Sequence, residues 1–68
     1  MIKCNLSRMM GEKKIKIAEL AREIDVNRST ITMLYYESVK RIEIDVLDKL
    51  CIYFDCTVSD ILEFKEPT

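Results

Sequence analysis

Histidine is absent from this chain, glycine and proline occur once each, and no stretch approaches the run of about 18 apolar residues that a membrane span needs. Without histidine the common zinc-finger ligand sets cannot be assembled, and the three cysteines, Cys4, Cys51 and Cys56, include no CxxC pair. There is no glycine-rich phosphate loop, and no nucleophile stands in a pattern with a base. The sequence therefore predicts no enzyme, no metal site and no cofactor. An odd, scattered cysteine set reads as reduced thiols. Cys51 falls on the apolar side of a helical pattern, as a small core residue would. Cys4 and Cys56 are open to redox chemistry only if exposed, and neither has neighbours that argue for a lowered pKa. The opening stretch MIKCNLSRMMGEKK has neither the apolar run nor the cleavage pattern of a signal peptide. A soluble, cytoplasmic protein is expected.

With 68 residues, 49% apolar and 34% charged, the chain holds one domain, residues 1–68, around a small core. The shortage of turn-forming residues favours a compact all-α domain over a sheet. Charge is segregated along the chain. Residues 1–41 carry nine Lys/Arg against five Asp/Glu, a balance of +4, while residues 42–68 carry two against seven, a balance of −5. The net charge of −1 thus conceals a basic half that can face a polyanion and an acidic half that favours solubility.

Caps and apolar spacing predict five short helices. Asn5 is suited to cap the first, in which Leu6, Met9 and Met10 recur at helical spacing before Gly11 and the charged run EKK loosen it. The second, about Ile17 to Ile24, has Leu20, Ala21 and Ile24 on one face, with small Ala21 allowing close helix crossing. Asp25 tolerates a left-handed turn, Val26 returns to the core, and Asn27 caps a third helix, about Arg28 to Tyr36, whose Ile31, Leu34 and Tyr35 face inward. A fourth, about Ile44 to Phe54, carries Ile44, Leu47, Leu50, Cys51 and Phe54 on one stripe, with Glu43 and Asp45 suiting its dipole. Thr57 and Asp60 form a capping-box variant before a last helix containing Ile61, Leu62 and Phe64, and KEPT reads as a tail.

The stretch LAREIDVNRSTITML joins two of these helices by a very short turn, so they must cross steeply, which accounts for a small residue in the first and an apolar one at the turn. It looks like a helix-turn-helix, spanning about residues 17–36. Together with RIEIDVLDKLCIYFDCTVSDILE, it resembles the Cro/repressor-type helix-turn-helix family, also called XRE-like or lambda-repressor-like, from about Asn5 to Phe64. The resemblance implies a five-helix DNA-binding fold with the third helix in the major groove. By position it assigns base reading to Arg28, Ser29, Thr32 and Met33. Arg28 suits guanine O6 and N7, Ser29 several edges, and Thr32 or Met33 a thymine methyl. It assigns phosphate contact to Lys16, Asn27, Lys40 and Arg41. Tyr36 either meets a phosphate or covers the loop.

Several positions depart from that family pattern. Asp25 stands where glycine is usual, Lys16 cannot accept an amide hydrogen bond where a cap is common, and Ile17 replaces a polar phosphate-contacting residue. The loop after the third helix reads YESVKR in place of an Asn-Gly turn. Two functions follow from these features: a sequence-specific regulator that represses by binding double-stranded operator DNA, or a helix-turn-helix module that binds another protein through its acidic half. Val46, Ile52, Tyr53 and Phe64 exceed the assigned core stripes and supply either more core or a homodimer surface. No small-molecule ligand is evident.

Overall fold

A computed structural model describes residues 1–66. Pro67 and Thr68, the end of the expected tail, lie outside the described residues. In chain order the elements are β1 (Ile2–Cys4), α1 (Leu6–Lys13), α2 (Ile17–Ile24), α3 (Arg28–Tyr35), α4 (Ile44–Phe54), α5 (Val58–Ile61) and β2 (Leu62–Phe64). Helices dominate, and α2 packs most extensively against α3. The core gathers Leu6 and Met10 from α1, Leu20 from α2, Ile31 and Leu34 from α3, Leu50 from α4 and Ile61 from α5. No helix among the described residues is long and apolar enough to cross a membrane.

The all-α expectation needs correction. β1 and β2 pair antiparallel, with Ile2 opposite Phe64, Lys3 opposite Glu63 and Cys4 opposite Leu62. The chain ends are thereby tied together, and Leu62 and Phe64 belong to a strand, not to the last helix. Side chains alternate along a strand, so Ile2 and Phe64 continue the face of buried Cys4. They are 64% and 66% exposed. Asn5 serves this closure as well. Its backbone N–H donates to Ile61 O at 2.7 Å, and its buried side-chain amide reaches Asp60 O and Glu63 Oε1. It makes no side-chain cap to α1.

The shortage of glycine has a conformational consequence. Lys14, Asp25, Glu37 and Asp55 all adopt the left-handed conformation, with φ between 51° and 56°, a region that L-residues other than glycine enter at a cost of about 1–2 kcal/mol. Each follows a helix. After α1, α2, α3 and α4 respectively, the N–H of the next residue reaches back to Met10 O, Ala21 O, Met33 O and Cys51 O at 2.8–3.0 Å, satisfying carbonyls that the helix end leaves open. Helix α1 therefore continues through Gly11 to Lys13 before Lys14 closes it. Asp60 Oδ2 accepts the Thr57 N–H at 3.0 Å, the carboxylate arm of the expected box at α5.

Helix α4 keeps the expected stripe at Leu47, Leu50, Cys51 and Phe54 and departs from it only in its first turn. Val46, Leu47 and Leu50 are buried, whereas Ile44 is 78% exposed. Val46 is core, and Tyr53 is half-buried, so of the surplus apolar residues Ile52 and Phe64 stay exposed.

Candidate nucleic-acid interface

Ile31 and Leu34 are fully buried and fix the orientation of α3. Its outer face then carries Arg28, Ser29, Thr32 and Met33, with Arg28, Ser29 and Met33 exposed and Thr32 partly so. Asn27 caps the helix as expected. Its Oδ1 accepts the Ser29 backbone N–H at 3.0 Å and the Ser29 hydroxyl at 2.9 Å. Ser29 thus spends its one hydroxyl proton on Asn27 and turns lone pairs outward, as an acceptor. Thr32 Oγ1 donates to Arg28 O at 2.9 Å, which leaves its oxygen lone pairs and its methyl group as free contacts.

Two clefts flank α3. One is formed by Lys16, Ile17 and Ala18 at the start of α2 with Arg28, Tyr35 and Tyr36. Arg28 and Lys16 are therefore brought together, and no carboxylate lines that cleft. Tyr36 is 68% exposed there, set edge-on to Tyr35 with centroids 5.0 Å apart. The opposite cleft contains Asn27, Thr30, Met33 and Arg41, but also Asp25, Glu43 and Asp45. Arg41 thus shares its cleft with three carboxylates and with Lys49. Lys40 is exposed and lines neither cleft.

Three residues that sequence reasoning did not single out hold or extend this surface. Lys49 Nζ donates to Asp25 O at 3.2 Å and lies 3.7 Å from Asp45 Oδ2, tying α4 to the turn before α3. The i, i+4 spacing of Asp45 and Lys49 was legible, but the contact with Asp25, 24 residues away, was not. Glu37 closes α3 and uses Oε1 to accept the Cys4 N–H at 3.0 Å, so the loop after α3 is latched to β1. Thr30 reaches the second cleft from one helical step along the face. Among the described residues no group of three His, Cys, Asp or Glu side chains is placed to hold a metal ion.

The arrangement is a short helix with a polar outer face, its N-terminus free of carboxylates on one side, held from behind by apolar anchors and hydrogen-bonded at both ends. Comparison with known proteins points the same way. The chain is similar, at 25% identity over 61 residues, to an uncharacterized HTH-type transcriptional regulator, YozG, of Bacillus subtilis (strain 168), covering 90% of this chain and 73% of that protein. The family model for the Cro/C1-type HTH DNA-binding domain matches residues 5–67. The chain belongs to the Cro/C1-type helix-turn-helix DNA-binding domain family.

Proposed function

We propose that this protein is a sequence-specific transcriptional repressor whose single lambda-repressor-like domain inserts α3 into the major groove of operator DNA. The supporting observation is the outer face of α3, where Arg28, Ser29 and Thr32 present a donor fork, an acceptor oxygen and a methyl group from a helix whose opposite face is buried. Arg28 reads guanine, Ser29 accepts from an adenine or cytosine amino group, and Thr32 meets a thymine methyl. Met33, at 41% exposed and beside Arg41, reads from the far edge of the face. Lys16 and Tyr36 approach one phosphate strand, with Asn27, Lys40 and Arg41 toward the other. Lys16 is the stronger contact of the set, because no carboxylate lines its cleft whereas Asp25, Glu43 and Asp45 line that of Arg41. YozG is named as a transcriptional regulator, which agrees with this role.

A second reading rests on Ile44 and Ile52, 78% and 73% exposed on the outer side of α4 and two helical turns apart. Such a pair suits a different protein as partner. Selection from a randomised duplex library at moderate salt, followed by affinity measurements on enriched sites, separates these readings. A two-fold-related site with half-sites about one helical turn apart is the result expected of a dimeric repressor. Arg28→Ala should cost about 1–3 kcal/mol at one base pair and relax specificity there, whereas Lys40→Ala should weaken all sequences alike and lower the salt slope by about 1. Equal losses on selected and random DNA for Arg28→Ala would remove the base-reading role. No enrichment would transfer the function to the protein-binding reading.

A further inference from the structure

The cysteines look unrelated in sequence, yet two of them meet at the end of α4. Cys4 is buried beneath the sheet, while Cys51 and Cys56 are each partly exposed. Asp55 ends α4 in the left-handed conformation, its N–H directed to Ile52 O at 3.3 Å, and Cys56 N–H donates to Cys51 O at 3.0 Å. This pair of bonds is a Schellman motif, and the residues joined by its outer bond bring their side chains together, usually as an apolar contact. Here both side chains are thiols. The backbone bond alone keeps the two Cα atoms within about 7 Å by standard peptide dimensions, near the roughly 4.4–6.8 Å that disulfides span.

We propose that Cys51 and Cys56 form a dithiol site that a small-molecule disulfide of the oxidised-glutathione class converts to an intramolecular disulfide. One cysteine thiolate attacks a sulfur of the incoming disulfide, which expels one thiolate and leaves a mixed disulfide on the protein. The second cysteine, deprotonated in turn, attacks the protein-bound sulfur and expels the other thiolate. The protein loses two thiol hydrogens, and the reagent is reduced to two thiols. Burial, with the Cys51 thiol and the Asp60 and Asp55 carboxylates beside it, pushes the Cys56 thiol up. The site therefore rests as a dithiol near neutral pH and closes through proximity, not through an activated nucleophile. Closure would clamp α4 to the start of α5, next to the edge-on pair Tyr53 and Phe54.

The test is to incubate the reduced full chain with oxidised glutathione, quench in acid, unfold, alkylate free thiols and measure intact mass and a peptide map. The expected product has lost two of its three alkylatable thiols, carries no glutathione, retains label at Cys4 and shows Cys51 joined to Cys56. Cys51→Ser and Cys56→Ser should each hold one glutathione as a stable mixed disulfide, while Cys4→Ser should close like the parent. Circular dichroism checks that the variants fold, and the parent's peptide map decides even if one does not. Three alkylatable thiols after incubation, persistent glutathione on both Cys51 and Cys56, or a cross-link through Cys4 would overturn the proposal.

Discussion

Asn27 offers a perturbation that separates folding from DNA recognition. One side-chain oxygen accepts both the Ser29 N–H and the Ser29 hydroxyl, at 3.0 and 2.9 Å. Replacing Asn27 by alanine removes both acceptor contacts, but they are exposed and water can take up the freed donors. The cost should therefore sit near the middle of the range for lost caps, about 1 kcal/mol, or roughly a fivefold rise in the unfolded-to-folded ratio. Asn27→Asp keeps an acceptor at the same position and adds a negative charge at a helix N-terminus, which the helix dipole favours by about 0.3–1 kcal/mol. Stability should thus rank the Asn27→Asp variant at or above the parent, and Asn27→Ala below both. DNA affinity should rank differently, with the parent tightest and Asn27→Asp weakest, because the added carboxylate faces phosphate. Urea denaturation followed by circular dichroism gives the first ranking, and anisotropy titration of a selected duplex at two salt concentrations gives the second. An Asn27→Ala midpoint equal to the parent's would refute the capping argument. An Asn27→Asp variant that binds DNA as tightly as the parent would refute the phosphate-facing position.

Leu50 is fully buried in α4, and Leu50→Ala should cost about 2–5 kcal/mol, enough to unfold much of so small a domain at room temperature; a cooperative native-like urea transition would show that α4 is peripheral to the core. Gly11 sits inside α1 and an added Cβ would meet no atom within 4 Å, so Gly11→Ala should stabilise by about 1 kcal/mol. Lys14→Gly, which places glycine at φ 55°, should stabilise by a comparable amount, about 1 kcal/mol, read as a shift of the denaturation midpoint at constant slope.

How much of this was legible in the sequence depended on the range of the interaction. Asn27 and the Thr57–Asp60 pair act within one helical turn, and the structure has both caps doing what their residue types allow. Asp25 was legible for the same reason, since tolerance of a left-handed φ is a property of the residue itself. The strands were not. Each is only three residues long, and Ile2 pairs with Phe64 across nearly the whole chain, so neither has a local signal. Leu62 and Phe64 followed a helix start and shared its apolar character, which made them look helical. Asn5 misled for a related reason, because a residue type that caps helices is equally able to bridge a strand and a helix end. On α4 Leu47, Leu50, Cys51 and Phe54 were legible, and the departure is confined to the first turn, where two apolar residues compete and Val46, not Ile44, is buried.

The candidate site followed the same division. The outer face of α3 was readable once Ile31 and Leu34 were assigned inward, because helical geometry leaves the remaining positions no other side. What the sequence withheld was the asymmetry of the flanks, in which Asp25, Glu43 and Asp45 line one cleft with Arg41 and Lys49 while Lys16 and Arg28 line the other with no carboxylate. That asymmetry bears on docking. The α2 side of α3 offers a polyanion Lys16 and Arg28 in a cleft lined by no carboxylate, and the α4 side offers a mixed field. The hydrogen bonds of Lys49 to Asp25 and of Glu37 to Cys4 hold the two ends of the helix-turn-helix. A surface that reads bases needs its side chains held to within a fraction of a bond length. In a domain with so small a core, α3 is tied to α4 at one end and to the terminal sheet at the other.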